Sequence, residues 1–584
     1  MQKLVFVAFL ISNLSAFSMP GHPSSPDSTF KTWSYGADHV VGLIYLPHPE
    51  KRQHCRLLHP DANTTLVEEL NQAGTCTSRY LVVYMDHRLE MIAKTDQWGK
   101  VVSTSHFVPV DKNTVLETAV QTGRNPYAPC FGRRYVFKDG LLSEYAYVDE
   151  KGDLCNNRDG YAREVLSKYD TGVLRGFTRS FSYFNAAGKP VLAKNVGYHQ
   201  VVLEHDDRGN IITRSYLNKE DAPMANKYGV YKIQYTYDQW GNNIQTENKA
   251  LDGTPLKGSY GAATYKTSYK DGWRVQEEMF DDQGHLTTFK NIDGRFAVVT
   301  YKRDDRGNVM EEAYYGDKRE PVNDERGIHL ERSSYSDDDL LLERSFWDKE
   351  GKATTDLSLV HAYRYTYDKD GNRMSKAFLD TAGRLFNRHY NHVNMIRYQY
   401  YASGSLMSES YWNNDHEKTV NENGHHQKAY QYDETGQLRA IDLLDSLGEH
   451  VLGDLGYSRE VLRYNSAAQL QSRSYFDAGR PISQVKQTYY VRNYHTIRYE
   501  YDSLNRVRSV IYLDEQDRPF NATVELGSGE IFPCSKVVFE YNASVLVAER
   551  IYTTNPDEAP VMRDCMKQYA VSTSGQGRLP PDKQ

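Results

Sequence analysis

The sequence lacks a dominant charge, a second long apolar run and the common catalytic motifs. Its 584 residues have a formal net charge of −7, so no strong basic field favours nucleic acid as a partner. Beyond the N-terminus, no apolar stretch approaches the length of a transmembrane helix. No GxSxG motif, Walker loop or dinucleotide fingerprint is present. We therefore expect no nucleic-acid partner, no membrane span and no cofactor.

The N-terminus, MQKLVFVAFLISNLSAFSMP, has a basic Lys3 and an apolar run from Leu4 to Ile11. This pattern predicts a secretory signal peptide over residues 1–18, because the run is too short to span a bilayer. An uncleaved anchor is the alternative. No cysteine follows the expected cleavage site, which argues against a lipoprotein anchor. We expect an exported protein that is secreted, periplasmic or held at the cell surface.

Cysteines are few and lie towards the two ends of the chain. An even number in an exported protein favours disulfides over metal binding or catalysis, and none of these cysteines has C-x-x-C spacing. Proximity in sequence favours the pairs Cys55–Cys76, Cys130–Cys155 and Cys534–Cys565. Six cysteines nevertheless allow 15 pairings, so the connectivity stays open.

Tyrosine is abundant, with 46 copies, and it recurs in a repeated pattern. A strand-like aromatic run, a turn such as YDKDGN, a second aromatic run and a second turn follow one another at intervals of mostly 32 residues. Asp, Asn and Gly suit the turns, because Asp can bond its own backbone and Gly tolerates positive φ. A further glycine often follows the second turn. The pattern predicts an all-β fold of tandem β-hairpins that form a solenoid, a curved sheet or an open shell.

Aromatic residues occupy equivalent positions from repeat to repeat. A tyrosine usually precedes the first turn, as at Tyr367, Tyr400 and Tyr432, and an adjacent apolar pair precedes the second turn. Trp347 and Trp412 are the second members of two such pairs. Because strand neighbours point to opposite faces, one member of each pair can line the core while the other faces away. These five side chains are candidate ligand-binding residues; the alternative is that the columns are only core.

The turns YDQWGN (237–242) and YDKDGN (367–372) resemble the YD repeats of the RHS family. The resemblance implies hairpin sheets that wind into shells, which often surround a toxin. It covers roughly residues 131–550, with a longer unit than the family's, and no toxin-like C-terminal domain is recognised. We predict four segments: a signal peptide (1–18), an N-terminal cap or small β domain (19–130), twelve to thirteen repeats (131–550), and a C-terminal segment with a disordered tail (551–584).

The repeated acidic residues are the most obvious candidates for chemistry. DKDGN (368–372) resembles the start of a calcium loop, but the distant glutamate that an EF-hand requires is missing. Carboxylate pairs could hydrolyse glycosides, yet acids at nearly every turn indicate a folding rule rather than one active site. His361, His389, His392, His425 and His426 show no metal-ligand spacing, so we expect surface histidines.

The pattern supports three functional hypotheses. The first is a non-catalytic binding or surface-interaction scaffold with a saccharide or protein partner. The second is a structural shell or export accessory akin to RHS proteins. The third is an enzyme with its site in residues 19–130. An exposed aromatic stripe would favour the binding scaffold, and an enclosed cavity would favour the shell. A pocket with converging catalytic groups in residues 19–130 would favour the enzyme.

Overall fold

Each repeat folds as a hairpin of two short strands, as its alternating aromatic and polar residues predict. The computed structural model describes residues 29–564 except 31–32, 36, 38, 42–48, 62, 97–100, 119–129, 150, 260, 292–293, 387–392, 435, 466–468, 484–490, 503–506, 526–530 and 543–544. The chain divides into two compact units, one ending at Glu331 and the other beginning at Arg332. The predicted signal peptide and residues 565–584 of the predicted tail lie outside the described residues.

The strands that precede the repeats are β1 (Thr29–Phe30), β2 (Ser34–Tyr35), β3 (Val40–Val41), β4 (His54–Asp61), β5 (Thr64–Leu70), β6 (Cys76–Met85), β7 (Arg88–Asp96), β8 (Val101–Asp111) and β9 (Thr114–Thr118). A 3-10 turn, Pro49–Lys51, precedes β4. The repeats of the first unit supply β10 (Gly132–Lys138), β11 (Leu141–Val148), β12 (Arg163–Lys168), β13 (Thr178–Phe184), β14 (Gln200–His205), β15 (Ile211–Leu217), β16 (Lys232–Tyr237), β17 (Asn243–Lys249), β18 (Thr264–Lys270), β19 (Trp273–Phe280), β20 (Phe289–Asn291), β21 (Gly294–Phe296), β22 (Val298–Arg303) and β23 (Val309–Tyr315).

The boundary between the units falls within β24 (Leu330–Tyr335). The following strands are β25 (Leu341–Trp347), β26 (Ala362–Tyr367), β27 (Arg373–Leu379), β28 (Met395–Tyr400), β29 (Leu406–Trp412), β30 (Gln427–Tyr432), β31 (Leu438–Leu444), β32 (Arg459–Tyr464), β33 (Leu470–Asp477), β34 (Arg480–Pro481), β35 (Val491–Arg492), β36 (Thr496–Tyr501), β37 (Val507–Leu513), β38 (Ala522–Glu525), β39 (Ile531–Cys534), β40 (Lys536–Asn542), β41 (Val545–Tyr552) and β42 (Val561–Asp564).

Pairing is antiparallel throughout, mostly between consecutive strands. In the first unit the ladder runs from β4 to β19 and continues through β22 and β23. In the second it runs from β25 to β33, then through β36, β37, β40, β41 and β42. The described residues contain no α-helix, and none of them forms a helix able to cross a membrane. The prediction of an all-β fold of tandem hairpins is confirmed.

A bulge and a linking segment complete each unit. The register shifts at the first turn, for example between Thr366 and Tyr367, so the tyrosine lies at a bulge. After the second turn one residue pairs back onto the preceding strand, as Ala353 does with Trp347. A third turn with a residue of positive φ, Leu359 in this repeat, then leads into the next strand. In several other repeats this position of positive φ is occupied by the glycine that recurs after the second turn in the sequence.

Cross-strand pairs define two faces of the sheet in each unit. In β26 and β27, Tyr363 pairs with Phe378 on one face, and Arg364 pairs with Ala377 on the other. We name the first the tyrosine face, because the tyrosine before the first turn, here Tyr367, lies on it, and the second the opposite face. Burial follows this alternation: in β26 the tyrosines are half-buried, while Arg364 is exposed.

Two columns of buried side chains form the core on the tyrosine face. The inner column is the first member of the residue pair before each second turn, apolar in every repeat but that of Asn248, and consists of Tyr183, Tyr216, Asn248, Met279 and Tyr314 in the first unit, and Phe346, Phe378, Tyr411, Leu443, Tyr475 and Tyr512 in the second. The second column follows the third turn and consists of Tyr161, Tyr198, Val230, Ala262, Phe296 and Ile328, and of Val360, Val393, His425, Tyr457, Tyr494 and Cys534. A single hairpin is marginally stable, so packing between these columns supplies much of each unit's stability.

Candidate functional site

The aspartate of the YDxxGN turn is fully engaged by its own turn. Asp238 Oδ1 accepts hydrogen bonds from the backbone N–H groups of Trp240 and Asn242, both at 2.9 Å. Its Oδ2 accepts a bond from Asn242 Nδ2 at 2.9 Å. Gly241 supplies the positive φ of 83° that a β-carbon disfavours. The same set of bonds recurs at Asp206, Asp304 and Asp368.

These turn bonds bear directly on the calcium hypothesis. Asp368, which opens the calcium-like DKDGN stretch, uses both oxygens within the turn, and the bonds from Asn372 hold its pKa below the usual range. Within the described part of the chain, no three His, Cys, Asp or Glu side chains are grouped to hold a metal ion. The motif's Asp, Gly and Asn are therefore explained by turn formation.

The tyrosine of the same motif joins one hairpin to the hairpin before it. Tyr237 Oη donates to the carbonyl of Ile211 at 2.8 Å, and Tyr501 Oη donates to that of Leu470 at 2.7 Å. Tyr367 Oη makes the equivalent bond to Leu341, at 2.9 Å. In each case the acceptor is the first residue of the second strand of the preceding hairpin. The ring covers the sheet face while the hydroxyl bridges two repeats, which accounts for tyrosine at this position.

The five predicted binding residues lie on two different faces. Tyr367, Tyr400 and Tyr432 lie on the tyrosine face, whereas Trp347 and Trp412 lie on the opposite face with their cross-strand neighbours. All five are half-buried. They form no single surface, and the prediction that any of them binds a ligand stays a prediction.

Each of the two tryptophans is enclosed by its own repeat. Arg397 lies over the ring of Trp412 at 4.0 Å from its centroid, and Trp412 Nε1 donates to Ser410 Oγ at 2.9 Å. Trp347 is enclosed in the same way, with Arg332 at 4.9 Å. An arginine already stacked on the ring occupies the surface that a sugar would use.

A histidine completes these tryptophan environments. His361 contacts Trp347 edge-on at 5.3 Å between ring centroids, and its Nδ1 lies 2.8 Å from the carbonyl oxygen of Thr354. His426 contacts Trp412 in the same way. The equivalent imidazoles elsewhere are His199, His329 and His495. An Nδ1–H that donates to the carbonyl would tie the second turn to the start of the next strand.

The expectation of surface histidines is therefore wrong for the described ones. His361, His425 and His426 are buried, because the position that starts each strand lies beneath the linking segment. His425 belongs to the second buried column, and burial lowers its pKa to about 4. His389 and His392 lie outside the described residues.

One of the three favoured cysteine pairs forms, and one does not. Cys130 and Cys155 are bonded, with Cα atoms 5.7 Å apart. Cys55 and Cys76 are free thiols, so that predicted pair is wrong. The strand β5 lies between β4 and β6, and two strand spacings of about 4.8 Å exceed the reach of a disulfide. Cys534 is buried, and Cys565, its predicted partner, lies outside the described residues.

Two adjacent pockets open on the tyrosine face of the first unit. The first, about 330 Å³, has aromatic walls that include Tyr198, Tyr216 and Tyr265, and Arg214 lines it. The second, about 260 Å³, shares Tyr265 and is lined by acids such as Glu277. Their size is near the lower limit of ligand pockets. The sequence does not reveal these pockets, although alternation with the aromatic Tyr216 places Arg214 on the same face.

The residues just before β4 make hydrogen bonds to a turn of a much later repeat. Arg52 Nη1 donates to the carbonyl of Gly241 at 3.0 Å, across 189 residues of chain. Asn242 Nδ2 donates to the carbonyl of Lys51 at 3.1 Å. Twelve strand spacings separate β4 from β16, which a flat sheet would place roughly 50–60 Å apart. The sheet of the first unit is therefore strongly curved.

Comparison with known proteins finds only remote likeness. No protein-family model matches the chain, and no curated protein matches it. Among solved structures, the crystal structure of TcdB2-TccC3 aligns with 87% of this chain at 12% identity and a TM-score of 0.28. The Tc holotoxin pore of Photorhabdus luminescens aligns with 88% at 11% identity and a TM-score of 0.15. A porin-like protein from Bacteroides uniformis aligns with 44% at 12% identity and a TM-score of 0.15.

This chain spans 28% of the TcdB2-TccC3 chain that it matches, 32% of the pore chain and 85% of the porin-like chain. Likeness at this level does not place the chain in a family, and its resemblance to the RHS family still depends on the YDxxGN turns. The fold itself defines an all-β array of tyrosine-rich hairpin repeats.

Proposed function

We propose that this chain is a non-catalytic exported binding protein that holds a saccharide against its tyrosine face. The observation that supports this proposal is the pair of adjacent pockets, about 330 and 260 Å³, which share Tyr265 as a wall. Aromatic faces pack against the C–H faces of sugar rings, and hydroxyl and amide groups between them meet sugar hydroxyls. Asn226 and Ser259 are polar residues that line the first pocket, whereas Asn248 is buried and its Nδ2 donates to the carbonyl of Ala262 at 3.3 Å.

The test is a screen of the full chain against neutral and acidic oligosaccharides, with affinities measured by isothermal titration calorimetry. Tyr228 lines the first pocket and is 50% exposed, so Tyr228→Ala removes pocket surface with little effect on the core. We expect it to weaken binding at least threefold. Tyr401→Ala, at a 39% exposed position that lines neither pocket, is the matched control. Absence of saccharide binding, or equal effects of the two variants, would contradict the proposal.

A structural shell or export accessory is a second candidate, favoured by the curvature of the first unit. Arg52, Lys51 and Gln72 bond to turns about 190–200 residues further along, as a wall that surrounds a volume requires. Such a wall would protect an enclosed polypeptide from protease. Mass spectrometry of the protein purified from its native host, after surface proteolysis, tests this candidate: a protected polypeptide of different sequence supports it, and its absence argues against it.

A further inference from the structure

Arg214 lies on the tyrosine face of β15 among apolar and phenolic neighbours. Its cross-strand partners are Leu203 and Ile233. Its guanidinium lies over the ring of Tyr216, 5.6 Å from the centroid, and Nη2 donates to Tyr198 Oη at 3.3 Å. Its Nε–H is buried and has no acceptor among the described residues. A guanidinium has five N–H donors, so most of its capacity is unused within the described structure.

Two other arginines of the same unit that lie among aromatic residues have carboxylate partners. Arg274, also on the tyrosine face, bonds Glu277 at 2.8 Å, and Arg163 bonds Glu144 at 2.5 Å. No carboxylate among the described residues lies within ion-pair distance of Arg214. Arg214 is half-buried, so its guanidinium keeps some contact with water, but its buried Nε–H has neither water nor an acceptor among the described residues, which is costly. A ligand with a carboxylate would supply the partner that the fold omits.

The pocket around Arg214 is suited to a sugar ring that bears this carboxylate. Tyr228, which is 50% exposed, provides the accessible aromatic surface of this pocket, while Tyr198 and Tyr216 are buried and stack on each other with centroids 4.5 Å apart. Asn226 and Ser259 add polar groups to the lining. Asn226 Oδ1 already accepts the backbone N–H groups of Tyr228 and Val230, so the hydroxyl of Ser259 is the lining group that a sugar hydroxyl would meet.

The second pocket indicates which kind of sugar would lie next to the acidic one. It shares Tyr265 with the first pocket, and three acids, Glu277, Glu278 and Glu312, line it together with one cation, Lys266. Tyr301 Oη donates to Glu277 at 2.8 Å, and Tyr314 Oη donates to Glu312 at 2.9 Å. Carboxylates accept hydrogen bonds from sugar hydroxyls but repel a second carboxylate. The neighbouring sugar should therefore be neutral.

We propose that the two pockets bind a saccharide in which a uronic acid, held by Arg214, is followed by a neutral sugar. This proposal depends on saccharide binding at the tyrosine face, as proposed above. The uronate carboxylate pairs with the guanidinium of Arg214 and its ring packs on the exposed ring of Tyr228. The neutral sugar donates hydroxyls to the carboxylates of the second pocket.

The defining experiment compares a uronate with its uncharged form. The probes are an oligosaccharide of alternating glucuronic acid and neutral sugar, the same compound with its carboxyls methyl-esterified, and trigalacturonic acid. Binding to the full chain is measured by titration calorimetry. We expect the alternating acid to bind about ten- to a hundredfold more tightly than its methyl ester, because a charge-assisted pair is lost on esterification. Trigalacturonic acid should bind more weakly than the alternating compound.

Variants separate this proposal from the more general one. Arg214→Gln should lower the affinity for the alternating acid about ten- to a hundredfold and leave the affinity for its methyl ester unchanged. Arg214→Lys keeps the charge, so it should lose less affinity for the acid than Arg214→Gln does. Arg364→Gln, at an exposed position on the opposite face of the second unit, is the control for charge. Thermal denaturation confirms that each variant folds.

The outcomes are distinct. If acid and ester bind equally, or Arg214→Gln leaves the acid's affinity within twofold, the uronate assignment is wrong while saccharide binding stands. If no saccharide binds, both proposals fail. An acetylated tripeptide with a free C-terminus is the last probe: if it binds through Arg214 and the uronate does not, the site is a peptide-carboxylate site and the saccharide proposal is overturned.

Discussion

Gly272→Ala tests whether the contact between the N-terminal segment and the repeats holds the first unit in its curved form. Gly272 has φ +79°, and a β-carbon there would lie 2.6 Å from the backbone carbon and oxygen of Lys51. Gly284, in the same unit, has φ +81° with nothing within 4 Å of the same position. The two substitutions therefore share the backbone strain and differ in the collision.

The expected difference in unfolding free energy between the two variants depends on the backbone strain and on the collision. Left-handed backbone costs an alanine about 1–2 kcal/mol at either position. The collision adds about 1–3 kcal/mol at Gly272 alone, because the backbone of Lys51 cannot rotate away as a side chain can. Relief by movement of Lys51 would stretch the neighbouring bond from Arg52 to Gly241, which is 3.0 Å long. Gly272→Ala should therefore lower the free energy of unfolding by about 1–3 kcal/mol more than Gly284→Ala.

Urea unfolding of both variants and amide hydrogen exchange provide the assay. In Gly272→Ala we expect faster exchange in β4 and in the turn after β16, with exchange in the second unit unchanged. A difference in unfolding free energy below about 0.5 kcal/mol, within the usual error of such comparisons, would refute the collision argument. Unchanged exchange in β4 would show that the contact does not support the curvature.

Two further predictions concern the repeat itself. Tyr501→Phe removes the bond to the carbonyl of Leu470 and should cost about 1 kcal/mol in urea unfolding; no loss would mean that the hydroxyl does not join the hairpins. His425 has its pKa lowered to about 4 by burial, with Lys428 opposing and Asp454 favouring its charge. The unfolded chain then binds the proton first as pH falls, so stability should decrease between about pH 6.5 and 4 by up to about 3 kcal/mol. His425→Val, which matches the aliphatic members of its column, should flatten that part of the stability–pH curve, and an unchanged curve would exclude His425 as the cause.

Local chemistry made the repeats predictable from the sequence. The Asp and Gly of a turn such as 238–242 act on backbone groups within five residues, and alternation along a strand assigns Trp347 and Phe346 to opposite faces without tertiary information. The apolar pair was therefore predicted with the right geometry: Phe346 is buried, and Trp347 is half-buried on the other side.

Features that depend on distant segments were not predictable in this way. Proximity in sequence suggested Cys55–Cys76, but an intervening strand separates them. The buried histidines share a position that other repeats fill with Tyr231 or Ala263, so the type of residue gives little signal. Whether an arginine such as Arg214 has a carboxylate partner depends on strands that approach from other repeats. The lack of a carboxylate beside Arg214 in the described part of the chain is what makes the pocket around it a candidate site.

The tyrosine bonds between hairpins have a direction. In the bonds of Tyr237, Tyr367 and Tyr501 the donor belongs to the later hairpin and the acceptor to the earlier one, whereas the neighbouring turn residue Tyr401 bonds forward to Tyr430. During synthesis from the N-terminus, a new hairpin with such a tyrosine therefore brings its own attachment to a neighbour that is already complete. Because each attachment uses a backbone carbonyl, the earlier repeat needs no particular side chain to receive it. Duplication or loss of one repeat unit during evolution would preserve this joint, which makes the number of repeats free to vary.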